Sequence, residues 1–293
     1  MLPEGFILRM QSLLGEEYAA FSASFDRPLC TGLRLNPLKT GFTGDLSRFS
    51  LSPVPWCPTG YVYDAASRPG LSSYHAAGLY YLQEPSAMTP ASRLPIEPDD
   101  RVLDLCAAPG GKATELGSRI GEGGMLLAND ISNSRAKALL RNLEIQGVGR
   151  LLVTSEDPEK LVTLYPAFFD KILLDAPCSG EGMFRKESSM LRYYSENGPE
   201  HYVPIQKKLI EQAYQMLAEG GELLYSTCTF SVKENEEVIA GLLDAHPDME
   251  VQEITPGYEG FAPGVSVNGR DLSRCVHTVS YTHLRAHETR RHL

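Results

Sequence analysis

From Asp100 onward, short apolar runs alternate with amphipathic stretches, the pattern of parallel strands joined by crossover helices. The runs RVLDLCA, GMLLANDI, RLLVTSED, FFDKILLDAP and GELLYSTCTF predict five strands in that order. The stretch from about Gly111 through ATELGSRI, then SRAKALLRNLEIQG and IQKKLIEQAYQMLAEG, carry apolar positions at helical spacing. KENEEVIAGLLDAHPD predicts a further helix and MEVQEI a sixth strand. Residues before Asp100 follow another pattern. FILRMQSLLGEEYAAFSASF has helical periodicity, TGLRLNPLK is a short extended piece ended by Asn36-Pro37, and SLSPVPWCPTGYVYD reads as loop and short strand. SSYHAAGLYYLQEPSAMTPASRL reads as helix broken at Pro85 and Pro90. The chain thus divides into a small mixed module over 1–78, an α/β domain over 79–278, and a tail over 279–293. The tail has neither amphipathic period nor glycine turn, and reads as non-native or disordered.

Composition narrows the class. A length of 293 residues with 42% hydrophobic and 22% charged content suits one large domain plus a smaller one. The net charge of −10 argues against a generic nucleic-acid binder, because phosphate contacts need Lys and Arg. Local basic candidates are Arg34 and Lys39, Arg185 and Lys186, and Lys207 with Lys208. The cysteines include no C-x-x-C pair, so neither zinc nor a disulfide framework is expected. His283, His287 and His292 gather in the tail, and no metal is expected there either. No stretch reaches the apolar length of a membrane span and no cleavable signal pattern is seen, so a cytoplasmic setting is expected.

The first strand ends in LDLCAAPGGK, which places Pro109, Gly110 and Gly111 directly after it. Glycines there let a ligand approach the backbone, and the next helix presents unpaired N–H groups. Asp130 closes the second strand, where a carboxylate suits the two hydroxyls of a ribose. Asp157 closes the third. The dehydrogenase pattern G-x-G-x-x-G is absent, and Lys112 lacks both P-loop spacing and a following Ser or Thr. Taken alone, this loop also fits a tight turn with no ligand.

Cys178 in DAPCSG and Cys228 in YSTCTF end the fourth and fifth runs. If those strands are neighbours, both thiols and Asp175 converge on one pocket. A strand-end cysteine is accessible and can be held as thiolate, a strong nucleophile. A lone cysteine in an apolar strand is commonly core packing. Cys106 fits that second description or contributes only its backbone, and Cys30, Cys57 and Cys275 lack supporting context. Two thiols beside a glycine turn suggest covalent catalysis on an electrophilic ring next to a nucleotide-like cofactor.

VLDLCAAPGGK, ANDIS, DAPCSGEGMFRK and YSTCTFSVKENEEVI together resemble the motifs of the Nop/Sun family of RNA cytosine-5 methyltransferases. They are similar to its bacterial RsmF-like branch, which modifies small-subunit ribosomal RNA. YYLQEPSAMTPASRL resembles the segment leading into the family's catalytic domain, and LRLNP adds weaker support. The resemblance implies an α/β fold, the Rossmann-like sheet of class I S-adenosylmethionine-dependent methyltransferases, with a small N-terminal α+β RNA-binding module. It implies S-adenosylmethionine as cofactor, bound by Cys106, Ala107, Ala108, Pro109, Gly110, Gly111 and Lys112, with Asp175 also in the site. Asp130 would hold the ribose and Asp157 would lie near the adenine. Cys228 is implied as the nucleophile, Cys178 as the residue of the release step, and Asp175 as the partner of ring nitrogen 3 or the amino group. Phe184, Arg185 and Lys186 are candidates for holding RNA. The implied partner is RNA, with 16S ribosomal RNA or the 30S subunit ahead of transfer RNA and large-subunit RNA, and a monomer is expected. The family's Pro-His and glycine-rich hairpin does not follow SRCVH, which begins the expected seventh strand, so the chain reads as C-terminally truncated. The competing reading is a non-catalytic RNA-binding or ribosome-assembly factor on the same fold. A nicotinamide dehydrogenase is disfavoured by the Pro109 turn.

Overall fold

The computed structural model describes residues 2–39, 45–186, 188–196, 198–258, 260–278 and 289–292. The chain opens with α1 (Glu4–Leu14) and α2 (Tyr18–Ala23), followed by β1 (Gly32–Leu35), β2 (Ser52–Pro53) and β3 (Gly60–Val62). Then come α3 (Ser73–Ala76), β4 (Tyr80–Leu82) and α4 (Thr89–Arg93). The four strands form an antiparallel sheet of order β2-β3-β1-β4. The expected broken helix over 72–94 is thus corrected: its centre is a strand. Gly78, at φ 72°, ends α3, and a Cβ there would lie 2.1 Å from the Ile145 carbonyl oxygen. The aromatic run after it pairs with the LRL run of β1, so sheet packing overrides local helical spacing.

The second sheet begins with β5 (Arg101–Asp104), α5 (Gly111–Gly117), β6 (Met125–Asn129), α6 (Asn133–Gln146), β7 (Leu151–Thr154) and α7 (Pro158–Leu164). It continues with β8 (Phe169–Asp175), α8 (Ser188–Glu196), α9 (Pro199–Met216), β9 (Leu217–Thr227) and α10 (Glu236–Ala245). The last strands are β10 (Phe261–Pro263), β11 (Val276–Thr278) and β12 (Thr289–His292), and the order is β10-β11-β12-β9-β8-β5-β6-β7. The five strands β5 to β9 are parallel, as the alternating pattern predicts. Their apolar runs are continuous because both faces are covered. Ile172, Leu174, Leu223 and Tyr225 enter one core, whereas Leu173 and Leu224 enter the other. Each such fully buried side chain stabilises the fold by about 1.5–3 kcal/mol.

Two further expectations are corrected. MEVQEI is not a strand: Val251 and Ile254 are the buried positions, a spacing of three rather than two. SRCVH leads into β11, but the place beside β9 is taken by Thr289–His292. Of the three tail histidines, His283 and His287 lie outside the described residues.

The two sheets are joined by the LRLNP segment. Arg34, 2% exposed, donates through Nη2 to the Gly111 carbonyl at 3.0 Å and to Thr114 Oγ1 at 2.7 Å. Asn36 Nδ2 donates to Gln146 O at 2.7 Å and Gly78 O at 2.8 Å. Residues two apart in a strand share a face, so the alternate polar positions of LRLNP meet the start of α5 and the end of α6. Arg34 is therefore not part of a basic surface patch: its charge is buried against Glu115 at 3.5 Å.

Candidate active site

β6 and β7 lie on one side of β5, and β8 and β9 on the other. A crevice opens beyond the strand ends where the order reverses in this way. The residues singled out in the sequence follow the ends of β5, β6, β8 and β9, with Asp157 at the start of α7.

The turn after β5 is held from outside. Ala107 N–H donates to the Asn129 carbonyl at 2.8 Å, Arg135 Nη2 to Ala108 O at 2.8 Å, and Asn142 Nδ2 to Pro109 O at 2.7 Å. Gly110, at φ 113°, starts α5 without a capping side chain. Cys106 is inert packing chemistry: burial, with Asp104 beside it, pushes its thiol far up. Asp130 is buried, accepts from Ser132 N–H at 2.9 Å and lies 3.3 Å from Arg135 Nη2. Asp157 is exposed and caps α7, accepting from Glu159 N–H at 2.9 Å.

β8 and β9 are neighbours, with Asp175 paired to Ser226 in register. That pairing brings the two thiols together: Cys178 Sγ and Cys228 Sγ are 3.3 Å apart, and both residues are half-buried. The Cys228 hydrogen bond, then burial, hold the Cys178 thiol well above its ordinary range, so Cys178 keeps its proton; either sulfur can serve as donor in the contact between them. Asp175 Oδ2 accepts from Lys112 Nζ at 2.8 Å and Oδ1 from Ser226 Oγ at 2.7 Å. Lys112 thereby ties the glycine turn to the strand end that carries the thiols.

Sequence reasoning missed three groups. Asp104 is fully buried at the end of β5, and among the described residues neither carboxylate oxygen makes a well-aligned hydrogen bond, the Cys106 backbone N–H being its one backbone influence. Burial and nearby Asp175 push its pKa up to about 8. An acid closing an otherwise apolar strand was the available signal. Glu234 and Glu181, both fully buried, bond to the segments around the thiols; Glu234 lies in the acid-rich run KENEEV, which hides its burial, and nothing next to Glu181 in the sequence signals its role. Glu181 accepts from Phe230 N–H at 3.0 Å and pairs with Arg9 of α1. Of the insert's candidates, Phe184 is corrected. Phe184 is buried, its ring 5.2 Å from that of Phe6 of α1, and cannot stack on a base. Arg185 donates to the Arg27 and Pro28 carbonyls, and Lys186 lies 3.6 Å from Glu84.

The family described as 16S rRNA methyltransferase RsmB/F matches residues 91–279, and the N-terminal domain of 16S rRNA methyltransferase RsmF matches residues 2–85. The ribosomal RNA small subunit methyltransferase F of Erwinia tasmaniensis is 40% identical over 259 residues, covering 84% of this chain and 54% of the relative. The chain spans about half the length of the curated relatives it matches. A methyltransferase homolog protein from Pyrococcus horikoshii superposes with a TM-score of 0.77 at 26% identity, covering 99% of both chains. NSun6 from Pyrococcus horikoshii superposes at 0.80 with 20% identity, covering 99% of this chain and 97% of that one, a likeness of fold. Among the described residues no helix is long and apolar enough to cross a membrane. With the family profile matched over β5 to β11 and the two sulfurs, the chain belongs to the RsmB/F family of 16S rRNA methyltransferases.

Proposed function

We propose that the chain methylates carbon 5 of a cytosine in small-subunit ribosomal RNA through a covalent bond from Cys228 to the ring. The observation that carries this reading is the pair of sulfurs 3.3 Å apart beside the Lys112–Asp175 pair. Carbon 5 of cytosine is a poor nucleophile until a thiolate adds at carbon 6. Cys228 follows β9 with its sulfur 3.3 Å from that of Cys178, and a thiolate is the reactive form of such a group. Asp175, charged against Lys112, accepts from the cytosine amino group and orients the ring. Cys178 handles the proton that leaves carbon 5 before Cys228 is expelled. The target base must leave its stack to reach this depth. The N-terminal sheet over 1–78 and beyond it to Leu82 serves RNA recognition.

S-adenosylmethionine supplies the methyl group when bound, and the residues present fit it. The Asp130 carboxylate, joined by that of Asp104 once it is ionised, offers negative charge beside an uncapped glycine turn, the complement of a sulfonium and an ammonium. Cys106 to Lys112 would hold its methionine part, Asp130 the ribose and Asp157 the adenine edge. The test is transfer of labelled methyl from S-adenosylmethionine into 16S RNA or the 30S subunit, with 5-methylcytosine mapped in the product. Methyl-free RNA that nevertheless binds tightly would turn the reading to an assembly factor.

Asp104 gives a prediction with a defined sign. Its folded pKa of about 8 stands above the ordinary value of 3.8. Between those limits the folded form keeps a proton that the unfolded form has released, so this group's contribution to stability falls as pH rises. Asp104→Asn has no proton to lose, so its melting temperature gains on wild type as pH rises from 5 to about 8. The same change removes a charge that a cationic ligand favours, and weakens S-adenosylmethionine binding about ten-fold at pH 8.5. Calorimetry of ligand-free and titrated protein checks both; parallel melting curves across that range would sink the assignment.

A further inference from the structure

The segments that carry the two sulfurs are joined by Gly182 N–H on the Cys228 carbonyl at 2.8 Å, by Glu181 on Phe230 N–H, and by a second buried carboxylate that takes the most donors. Glu234 stands just before α10 and takes donors from both sides. Its Oε1 accepts from Ser179 N–H at 2.9 Å and Gln206 Nε2 at 3.0 Å. Its Oε2 accepts from Ser179 Oγ at 2.6 Å and Thr229 Oγ1 at 3.2 Å. Ser179 follows Cys178 and Thr229 follows Cys228. Gln206 also donates to the carbonyl of Pro177, the residue before Cys178, at 2.9 Å. The Tyr225 hydroxyl donates to the Glu234 backbone carbonyl at 2.7 Å, fixing the residue on β9. A buried carboxylate is costly to desolvate unless its lone pairs are filled; here four donors fill them.

We propose that Glu234 is a positioning residue for methyl transfer, setting the spacing of Cys178 and Cys228 by tying the chain after one to the chain after the other. It reaches the sulfurs through their sequence neighbours, so reach matters more than charge. The inference rests on the roles proposed above for the two cysteines, and its test is built to fail separately from them.

Diamide closure of a Cys178–Cys228 disulfide reads the sulfur spacing without RNA or cofactor. Two thiols lose two electrons and two protons as the S–S bond forms, and diamide takes them up to become its hydrazine. Glu234→Gln keeps the length and one acceptor oxygen, and the two hydroxyls can turn to accept from its amide. Its closure rate stays within about three-fold of wild type. Glu234→Asp keeps the charge but falls one methylene short. Its closure slows about ten-fold, and single-turnover methyl transfer slows about 100-fold with KM for RNA within about three-fold, because a 1 Å misplacement is that costly. Wild-type closure by folded Glu234→Asp, or slower closure by Glu234→Gln than by Glu234→Asp, overturns the proposal. Should Glu234→Asp not fold, Ser179→Ala with Thr229→Val removes the two hydroxyl donors at full side-chain length; the same slowing is expected, and unchanged closure again overturns it. If the order of closure rates holds while wild type transfers no methyl, the positioning role stands and the proposed activity fails.

Discussion

Cys228→Ala is expected to lower methyl transfer into ribosomal RNA by at least about 10³-fold, since the step that makes carbon 5 reactive has lost its nucleophile. No covalent complex should survive denaturing electrophoresis, even with RNA carrying 5-fluorocytosine. Cys178 stands only 3.3 Å away, so substitution by the second thiol must be considered. Two features oppose it. Cys178 sits beyond β8, after the Pro177 turn, and its segment is bonded to Glu234 through Ser179. Burial also remains among the causes that keep it protonated once Cys228 is gone, and a thiol attacks far more slowly than a thiolate. Melting temperature and S-adenosylmethionine affinity should stay near wild type, which separates lost chemistry from lost folding. Residual transfer above a tenth of wild type would remove Cys228 from the proposed role.

Cys178→Ala should show the opposite signature. Addition and methyl transfer in a single turnover stay within about ten-fold, while multiple turnover falls by at least about 100-fold. The protein then accumulates as a denaturant-resistant adduct with methylated RNA. The physical reason is that the adduct takes up Cys228, whose hydrogen bond is the largest cause holding the proton on Cys178, and so frees Cys178 to exchange one. Loss of the carbon 5 proton needs an acceptor near the adduct, and Cys178 is the ionisable group in hydrogen-bond contact with the attacking sulfur. An adduct trapped by the Cys228 variant instead would exchange the two assignments.

Much of this was legible in the chain. The ends of β5, β8 and β9, about 70 and 50 residues apart in turn, were read as one crevice because an alternating βα pattern admits few sheet orders. The β8–β9 pairing that brings Cys178 to Cys228 was the remaining condition, and the structure meets it. What stayed hidden depends on burial decided elsewhere. Arg34 and Phe184 read as candidates for RNA contact because charge and aromatic character are visible in sequence, whereas the α5 start and Phe6 that cover them are distant in it. Glu234 sat among exposed-looking acids for the same reason. The strand at Tyr80–Leu82 was missed because its partner, β1, lies more than forty residues upstream.

The Arg34 and Asn36 contacts also bear on engineering. The small N-terminal sheet and the α/β sheet, matched by separate family models, invite recombination between relatives at the seam near residue 85. Here the seam is stitched through the cofactor turn itself, since the same guanidinium that closes the small sheet fastens the carbonyl of Gly111. Chimeras will work only when donor and acceptor sides of that stitch travel together, and an isolated α/β sheet would begin life with its glycine turn unbuttoned.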